Sequence, residues 1–378
     1  MRIPFNKPWA SEKSIEYIRE AISNGHLSGN GRFTFQCHDF FKKRYNLQNC
    51  LLTTSCTDAL EMAAMLINIK PGDEVIVPSF TFVSTALAFE REGARIRFAD
   101  SRTDYPGMDE TMVESLINEK TRAIVPVHYA GIACNMEKIM ELASNRNLYV
   151  IEDAAHAIES YYKGKPLGSI GHFGCFSFHE TKNIHCGEGG ILAVNDTQYA
   201  ERAEILWEKG TNRAQFFRGK ASFYEWKDTG SSFLPSEINT AFLYAQLQEI
   251  EKIQDRRLMI WNRYYKGFKQ LDVAGYVKLP VLPEYSTLNG NSFFLICRNK
   301  AERDGLIAFL KQYGIMALSH YLPLHKSEYY SKKYDGCSLP MSEKYSDTII
   351  RFPIYYELSE EDVDEIIDKT VRFFMRKS

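Results

Sequence analysis

Short apolar runs alternate with helix-period segments over the first two-thirds of the chain, and this alternation constrains the fold more than any other feature. The runs fall at 50–53, 74–77, 95–98, 123–127, 148–151, 175–178 and 190–194. Between them, residues 58–69, 84–91, 110–118 and 136–144 carry apolar side chains at helical spacing. Such alternation predicts a mostly parallel sheet with helices on both faces. Val75-Ile-Val-Pro78 and Ala123-Ile-Val-Pro-Val127 are apolar throughout, as strands buried on both faces require. After about Gly230 the pattern changes. A long helical stretch over 236–271 precedes a Pro-, Gly- and Asn-rich loop at 280–291. Then come a strand at 293–297, a helix over 301–313, a strand at 316–320 and a last helix over 359–374. Ser359 followed by Glu360, Glu361 and Asp362 marks the start of that helix. A chain of 378 residues has room for two domains. The expected division is a large α/β domain over 1–250 and a smaller α+β domain over 251–378.

Charge and cysteine usage narrow the function. Lys and Arg number 46 against 48 Asp and Glu, a net charge of −2 that leaves no electrostatic footprint for nucleic acid. The eight cysteines form no C-x-x-C pair and join no histidines at zinc-ligand spacing, so no metal is expected. No run approaches the ~18 apolar residues of a membrane span, and Met1-Arg-Ile-Pro-Phe-Asn6 has no apolar leader. The expectation is a cytoplasmic protein with reduced thiols. The 22 Tyr and 24 Phe point to large buried surfaces or an interface.

Ligands in open α/β sheets sit at the carboxyl ends of strands, and four groups of residues fall there. Ser55, Cys56 and Thr57 lie where a strand enters a helix. They could bind an anion or form an ordinary helix cap. Cys56 at that helix start is expected to have a lowered thiol pKa and to be the most alkylation-sensitive cysteine. Asp153 ends an apolar strand with His156 three residues on, either as a functional acid or as a turn cap. Lys182 follows another strand and precedes Gly187, Gly189 and Gly190, whose backbone could approach a ligand. A lysine there can attack a carbonyl or simply be solvated. Phe82 could stack on a planar ring or belong to the core. Pyridoxal 5′-phosphate needs all four: an aldehyde-bonding lysine, an acid for the ring nitrogen, a phosphate cradle and a flat neighbour.

A set of motifs in fixed order then resembles the DegT/DnrJ/StrS family of pyridoxal-phosphate-dependent sugar aminotransferases. They are Pro78-Ser-Phe-Thr-Phe-Val-Ser-Thr85, Val125-Pro-Val-His-Tyr-Ala-Gly131, Glu152-Asp-Ala-Ala-His156, Phe176-Ser-Phe-His-Glu-Thr-Lys-Asn183, Gly187-Glu-Gly-Gly190 and His320-Tyr-Leu-Pro-Leu-His325. The resemblance implies the type I aminotransferase fold: a large domain with a mostly parallel mixed sheet flanked by helices, plus a small C-terminal α+β domain. It also implies a homodimer with active sites at the interface. Lys182 would bond the cofactor and shuttle protons, and Asp153 would pair with the ring nitrogen. His156 would sit beside the phenolic oxygen, and Phe82 would stack on the ring. Ser55, Cys56, Thr57 and Ser177 would hold the phosphate. Many members have Gly-Thr in place of Cys56-Thr57, and an Asn and an Arg in place of Ser232 and Leu234. That Asn reaches the partner's phosphate, so Ser232 stands in its position.

Segments 54–57, 208–213, 215–219 and 230–232 are most similar to members that form dTDP-4-amino-4,6-dideoxygalactose. The implied reaction is transamination of dTDP-4-keto-6-deoxy-D-glucose with L-glutamate, for surface polysaccharide synthesis. A 3-keto sugar nucleotide as substrate, or a cofactor-binding regulatory protein, are the alternatives. Lys182 argues against the family's dehydratase branch, which carries a histidine there. A dinucleotide-dependent dehydrogenase would need G-x-G-x-x-G, which neither Gly29-Asn-Gly31 nor Gly187-Glu-Gly-Gly190 supplies. His320, Tyr321 and His325 are expected near the mouth of the site as substrate contacts. Arg213 and Arg218, in a loop with Phe216 and Phe217, could grip a diphosphate or line a dimer interface.

Overall fold

The computed structural model describes residues 1–375. Its large sheet contains β1 (Asn49–Thr53), β2 (Glu74–Pro78), β3 (Arg95–Ala99), β4 (Thr121–Ile124) and β5 (Tyr149–Asp153). After a small ribbon of β6 (Tyr161–Tyr162) and β7 (Lys165–Pro166), β8 (Phe173–Ser177) and β9 (Gly190–Val194) complete it. The order across the sheet is β1-β9-β8-β5-β4-β2-β3. Only β9 runs against its neighbours, pairing antiparallel with both β1 and β8. The remaining pairs are parallel. The carboxyl ends of six strands therefore lie along one edge, joined there by the start of β9.

Successive residues of each strand serve opposite faces. Ile76, Ile124, Val150, Phe176 and Ile191 enter one core with α2 (Arg32–Tyr45) and α6 (Met136–Arg146). Val77, Val125, Ile151, Cys175 and Leu192 enter another with α3 (Cys56–Leu66), α4 (Ser84–Arg91) and α7 (Ala200–Trp207). This is the mostly parallel, doubly covered sheet expected of the apolar runs. The apolar pattern does not announce α1 (Glu12–Ser23) or α2. Gly31, at the head of α2, supplies no side-chain cap. Glu237 does so from a distance: its buried carboxylate accepts from the backbone N–H of Gly31 (3.1 Å), Phe33 (2.7 Å) and Thr34 (3.1 Å). Glu237→Ala would leave these donors unpaired, and a loss of about 3–5 kcal/mol is expected. Urea unfolding measures it, and a loss below about 1 kcal/mol would show that water replaces the carboxylate.

The expected single helix over 236–271 is two, α9 (Glu237–Gln248) and α10 (Ile250–Val273), hinged at Glu249. The break has a packing cause. α9 lies on α1 and α2, whereas α10 lies on α13 (Glu360–Met375) in a second core. That core is built on an antiparallel sheet of β10 (Val277–Lys278), β11 (Phe293–Cys297) and β12 (Ile349–Phe352), with α11 (Lys300–Gln312) and α12 (Pro340–Thr348) beside it. Ile3 reaches across from the N-terminus into the same core and bridges Ile315. Residues 316–320 form no strand. Only Leu318 makes a bridge, to Arg351 on β12, and the third strand is Ile349–Phe352. Rings of Tyr264, Phe268, Phe293 and Phe352 pack together here, so part of the aromatic richness is core. Ser359 caps α13 as expected, its Oγ accepting from Asp362 N at 3.0 Å. No helix among the described residues is long and apolar enough to cross a membrane.

Candidate active site

A cavity of about 650 Å3 opens at the carboxyl edge of the large sheet, closed on its far side by residues of the second sheet. Strand alternation decides which acid faces it. Glu152 turns into the core, where it accepts from Gly168, Ile170 and Gly171 N–H and from His128 Nε2. Asp153, the next residue, therefore faces the cavity. Its Oδ2 accepts from Thr85 Oγ1 at 2.7 Å and its Oδ1 from Ala155 N at 3.1 Å. Burial pushes its carboxyl above the ordinary carboxylate range, against these two hydrogen bonds. No described cation lies within ion-pair distance of it.

Lys182 lies in the connection from β8 to β9. The turn is clamped by Phe178 N to Gly189 O (2.8 Å), Cys186 N to Phe178 O (2.9 Å) and Glu180 N to Gly187 O (2.8 Å). Its side chain lines the cavity with no acceptor or counter-ion among the described residues. Burial pulls its amine down to about 8, although Cys56 and Asp153 oppose the shift. The glycines of this turn serve the chain itself. A Cβ on Gly190 would stand 2.4 Å from the Ser55 carbonyl carbon, so this glycine lets β9 meet the start of α3. It does not admit a ligand.

At the start of α3, Ser55 is the N-cap and its Oγ accepts from Asp58 N at 3.1 Å. Asp58 turns outward to Thr54, so it does not compete at the helix end. The N–H groups of Cys56 and Thr57 find no acceptor among the described residues. They adjoin the cavity with Ser55, Ser177 and the Thr57–Ser84 hydroxyl pair, 2.7 Å apart. The expectation for Cys56 is overturned. Burial, and after it Asp153, push its thiol well above the ordinary value, the opposite of the lowered pKa expected at the helix start. Cys337 is the exposed one.

His156 Nδ1 accepts from Ala130 N at 3.1 Å, so its Nε2 carries the proton, and burial keeps the ring neutral. Phe82 stands 57% exposed at the mouth, its ring 6.3 Å from that of Tyr321. Tyr321 stacks on His320 at 3.5 Å, and His320 Nδ1 meets Tyr129 OH at 3.2 Å. His156, Phe82, His320 and Tyr321 line the cavity.

Four expected site residues are not gathered there within one chain. His325 is buried between the large-sheet Ser79 (2.6 Å) and Glu343 (3.3 Å), joining the two parts of the fold. Ser232 is exposed on a bridge to Glu208. Arg213 pairs with the buried Glu208 at 3.0 Å and Arg218 with Glu204, both at a separate groove beside β1. Two residues were not anticipated. Arg257 is buried and donates to the carbonyls of Gly290 (3.1 Å) and Asn291 (2.8 Å). Arg351 faces the cavity from β12. Its signal was a lone charge within the apolar run Ile349-Ile-Arg-Phe352.

The geometry suits pyridoxal phosphate. Two unpaired N–H groups at a helix start, with hydroxyls around them, fit a phosphate. A buried carboxylate without a cation fits a protonated ring nitrogen, and an amine near neutrality fits an aldehyde. Comparison with known proteins agrees. The sequence pattern described as the DegT/DnrJ/EryC1/StrS aminotransferase family matches residues 8–371. The chain is 32% identical over 375 residues to the spore coat polysaccharide biosynthesis protein SpsC of Bacillus subtilis, covering 97% of this chain and 95% of SpsC. The crystal structure of the aminotransferase TlmJ from Streptoalloteichus hindustanus superposes with a TM-score of 0.91 at 26% identity, covering 100% of both chains. Helicobacter pylori PseC, an aminotransferase of pseudoaminic acid biosynthesis, superposes with a TM-score of 0.90 at 25% identity over 99% of both.

Proposed function

Because the chain belongs to the DegT/DnrJ/EryC1/StrS aminotransferase family, and so is a pyridoxal-phosphate-dependent aminotransferase of the type I fold, we propose that it transfers the amino group of L-glutamate to a nucleotide-linked 4-keto-6-deoxy sugar. The sugar is dTDP-4-keto-6-deoxy-D-glucose, and the product dTDP-4-amino-4,6-dideoxygalactose or a close isomer serves surface polysaccharide synthesis. The supporting observation is the convergence of Lys182 and Asp153, from the ends of the paired strands β8 and β5, on one cavity. The relative SpsC, by its name, acts in polysaccharide biosynthesis. The choice of sugar rests on segments 54–57, 208–219 and 230–232.

The roles are those the family resemblance implies, and the geometry of the cavity supports them. Pyridoxal phosphate, when bound, supplies a ring that accepts the electron pair of a broken C–H bond. Cys56 and Thr57 N–H, with the hydroxyls of Ser55, Thr57 and Ser177, hold its phosphate. Asp153 keeps the ring nitrogen protonated. His156 donates its Nε2 proton to the phenolic oxygen. Phe82 covers one ring face. Lys182, whose buried amine is pulled down to about 8 and so has a usable neutral fraction near physiological pH, would move the donor's α-carbon proton to the cofactor's aldehyde carbon and, when the keto sugar follows, move a proton from that carbon to the sugar carbon being aminated. His320 and Tyr321 shape the sugar side of the cavity.

On this reading residues 1–250 form the cofactor domain and the small C-terminal domain expected over 251–378 closes it, with 376–378 outside the described residues. The working unit is a homodimer. Phe223 and Trp226, 76% and 78% exposed in the segment that follows Arg213 and Arg218, offer apolar surface for that interface. In the dimer, that loop and Ser232 reach the partner's site. The test incubates protein, pyridoxal phosphate and glutamate with dTDP-4-keto-6-deoxyglucose and identifies the amino sugar by NMR. A 4-amino product is expected. Product only from the 3-keto isomer would sink the regiochemistry, and none from either would sink the reaction.

A further inference from the structure

The turn that carries Lys182 is pinned to the rest of the site by a knot of asparagines. The Lys182 side chain makes no hydrogen bond or ion pair among the described residues, so its backbone decides where the amine stands. Asn183, the next residue, is buried, and both ends of its side chain are engaged. Its Nδ2 donates to Gln254 Oε1 at 3.1 Å and to Asn289 O at 2.8 Å, and its Oδ1 accepts from Asn291 Nδ2 at 3.0 Å. Asn289 and Asn291 belong to the loop that enters β11. Gln254 and Arg257 of α10 hold that loop by donating to the carbonyls of Asn289, Gly290 and Asn291. The Asn289 side chain continues to the other half of the site. Its Nδ2 donates to the carbonyls of His156 at 2.6 Å and Ile158 at 2.8 Å, and its Oδ1 accepts from Asn291 N at 2.9 Å. A Cβ on Gly131 would stand 2.1 Å from that Oδ1, so the amide lies against the loop whose Ala130 N–H holds the His156 ring. The Pro-, Gly- and Asn-rich segment 280–291 thus ends in a clamp between the Lys182 turn and the turn after Asp153.

We propose that Asn183 and Asn289 are positioning residues for the reaction: with Asn291 and Gln254 they set the Lys182 amine in register with His156 and Asp153. This deepens the reading of Lys182 as the amine that bonds the cofactor's aldehyde, and rests on it. Strand pairing does not supply the register. β5 and β8 are paired as far as Asp153 and Cys175, and both turns run on beyond that point. The flanks of the Lys182 turn are held separately, by Asn6 Nδ2 to Glu180 O at 3.0 Å and by His185 Nε2 to Trp9 O at 3.0 Å. Without the knot the turn would stand and its middle, where Lys182 lies, would be free. Reacting atoms must come within about 3–3.5 Å, and a misplacement of about 1 Å costs on the order of 100-fold. Asparagine suits this task. One planar amide presents donors and an acceptor at fixed angles, and it buries no net charge beside an amine that must give up its proton.

The test needs no turnover and compares two cofactor forms on the cofactor-free protein. Pyridoxal 5′-phosphate fills the site and bonds Lys182: the amine adds to the aldehyde carbon and water leaves. Pyridoxamine 5′-phosphate has no aldehyde and fills the same site without that bond. In Asn183→Ala the absorbance change that reports bonding should slow at least ~30-fold, while calorimetric affinity for pyridoxamine 5′-phosphate changes less than ~3-fold. Asn291→Ala removes one bond to Asn183 and should slow bonding by a smaller factor. It carries the test if Asn183→Ala does not fold. The double variant should lose no more than Asn183→Ala alone, because both act through one knot. The pH midpoint of bonding should stay at its wild-type value, since burial and not the knot sets the Lys182 amine. Equal losses for the two cofactor forms, or a midpoint displaced toward the ordinary lysine range, would show a site loosened as a whole and overturn the assignment. An unchanged bonding rate in the folded variants would overturn it too. Borohydride reduction and peptide mass analysis identify the bonded lysine, expected to be Lys182 throughout. A different lysine would strike the underlying reading and the register with it, whereas the other adverse results strike the knot alone.

Discussion

Lys182→Ala is expected to lose about 10^4-fold or more in turnover, because no neighbour can take over the proton transfer. His156 has its Nδ1 committed to Ala130 N, and His320 has its Nδ1 committed to Tyr129. Burial holds both rings neutral and poorly basic. Asp153 is occupied by Thr85 and Ala155. The substitution should leave the fold intact, since the Lys182 side chain has no hydrogen bond or ion pair among the described residues to lose, and its backbone N–H keeps its bond to His179 O. Circular dichroism and product formation measured together separate folding from chemistry, and added methylamine should restore part of the rate. Turnover within tenfold of the wild type would place the proton carrier elsewhere. A pH readout follows from the same amine. Only neutral Lys182 attacks an aldehyde, so reconstitution of the cofactor-free protein should quicken with pH and level off above about 8.

The apolar runs located every strand of the large sheet because a strand buried on both faces leaves a mark that needs no partner to interpret. The same logic placed Lys182, Asp153 and Cys56 at one edge, since parallel strands bring their carboxyl ends together whatever the helices do. What stayed hidden depends on contacts distant in sequence. α2 is capped by Glu237, about two hundred positions away, so its start carries no local signal. The hinge at Glu249 exists because two cores compete for one helical stretch. Cys56 misled for a related reason: a helix start lowers a thiol pKa, but burial and Asp153 push it up, and neither is visible at positions 55–57. His325 lies within a motif of the site yet spends both ring nitrogens joining Ser79 to Glu343. Arg351 shows the reverse. Its run is too short to stand out, and only the fold reveals that its Nε is buried without an acceptor at the cavity.

Asp153→Asn should separate stability from catalysis. Asparagine has nearly the same shape, and its oxygen can accept from Ala155 N while its amide donates to Thr85, whose hydroxyl is free to rotate. The site stays hydrogen-bonded and loses only its negative charge. In the cofactor-free protein that charge is a burden. Burial raises the folded-state pKa of Asp153 above its unfolded value. The folded state therefore holds the proton more tightly than the unfolded chain, and stability falls as pH climbs through the carboxylate range. Asp153→Asn removes this term, so the cofactor-free variant should unfold at the same Tm or higher at neutral pH. Its advantage should vanish below the ordinary carboxylate pKa, where both forms are neutral. With the cofactor bound, the order reverses. A neutral amide cannot keep the ring nitrogen protonated, and a buried charge partner of this kind contributes far more than an exposed one. Turnover should fall about 10^3-fold, with tighter cofactor binding in the wild type than in the variant. A variant with near-normal turnover, or one whose cofactor-free form melts well below the wild type, would remove Asp153 from the role assigned to it.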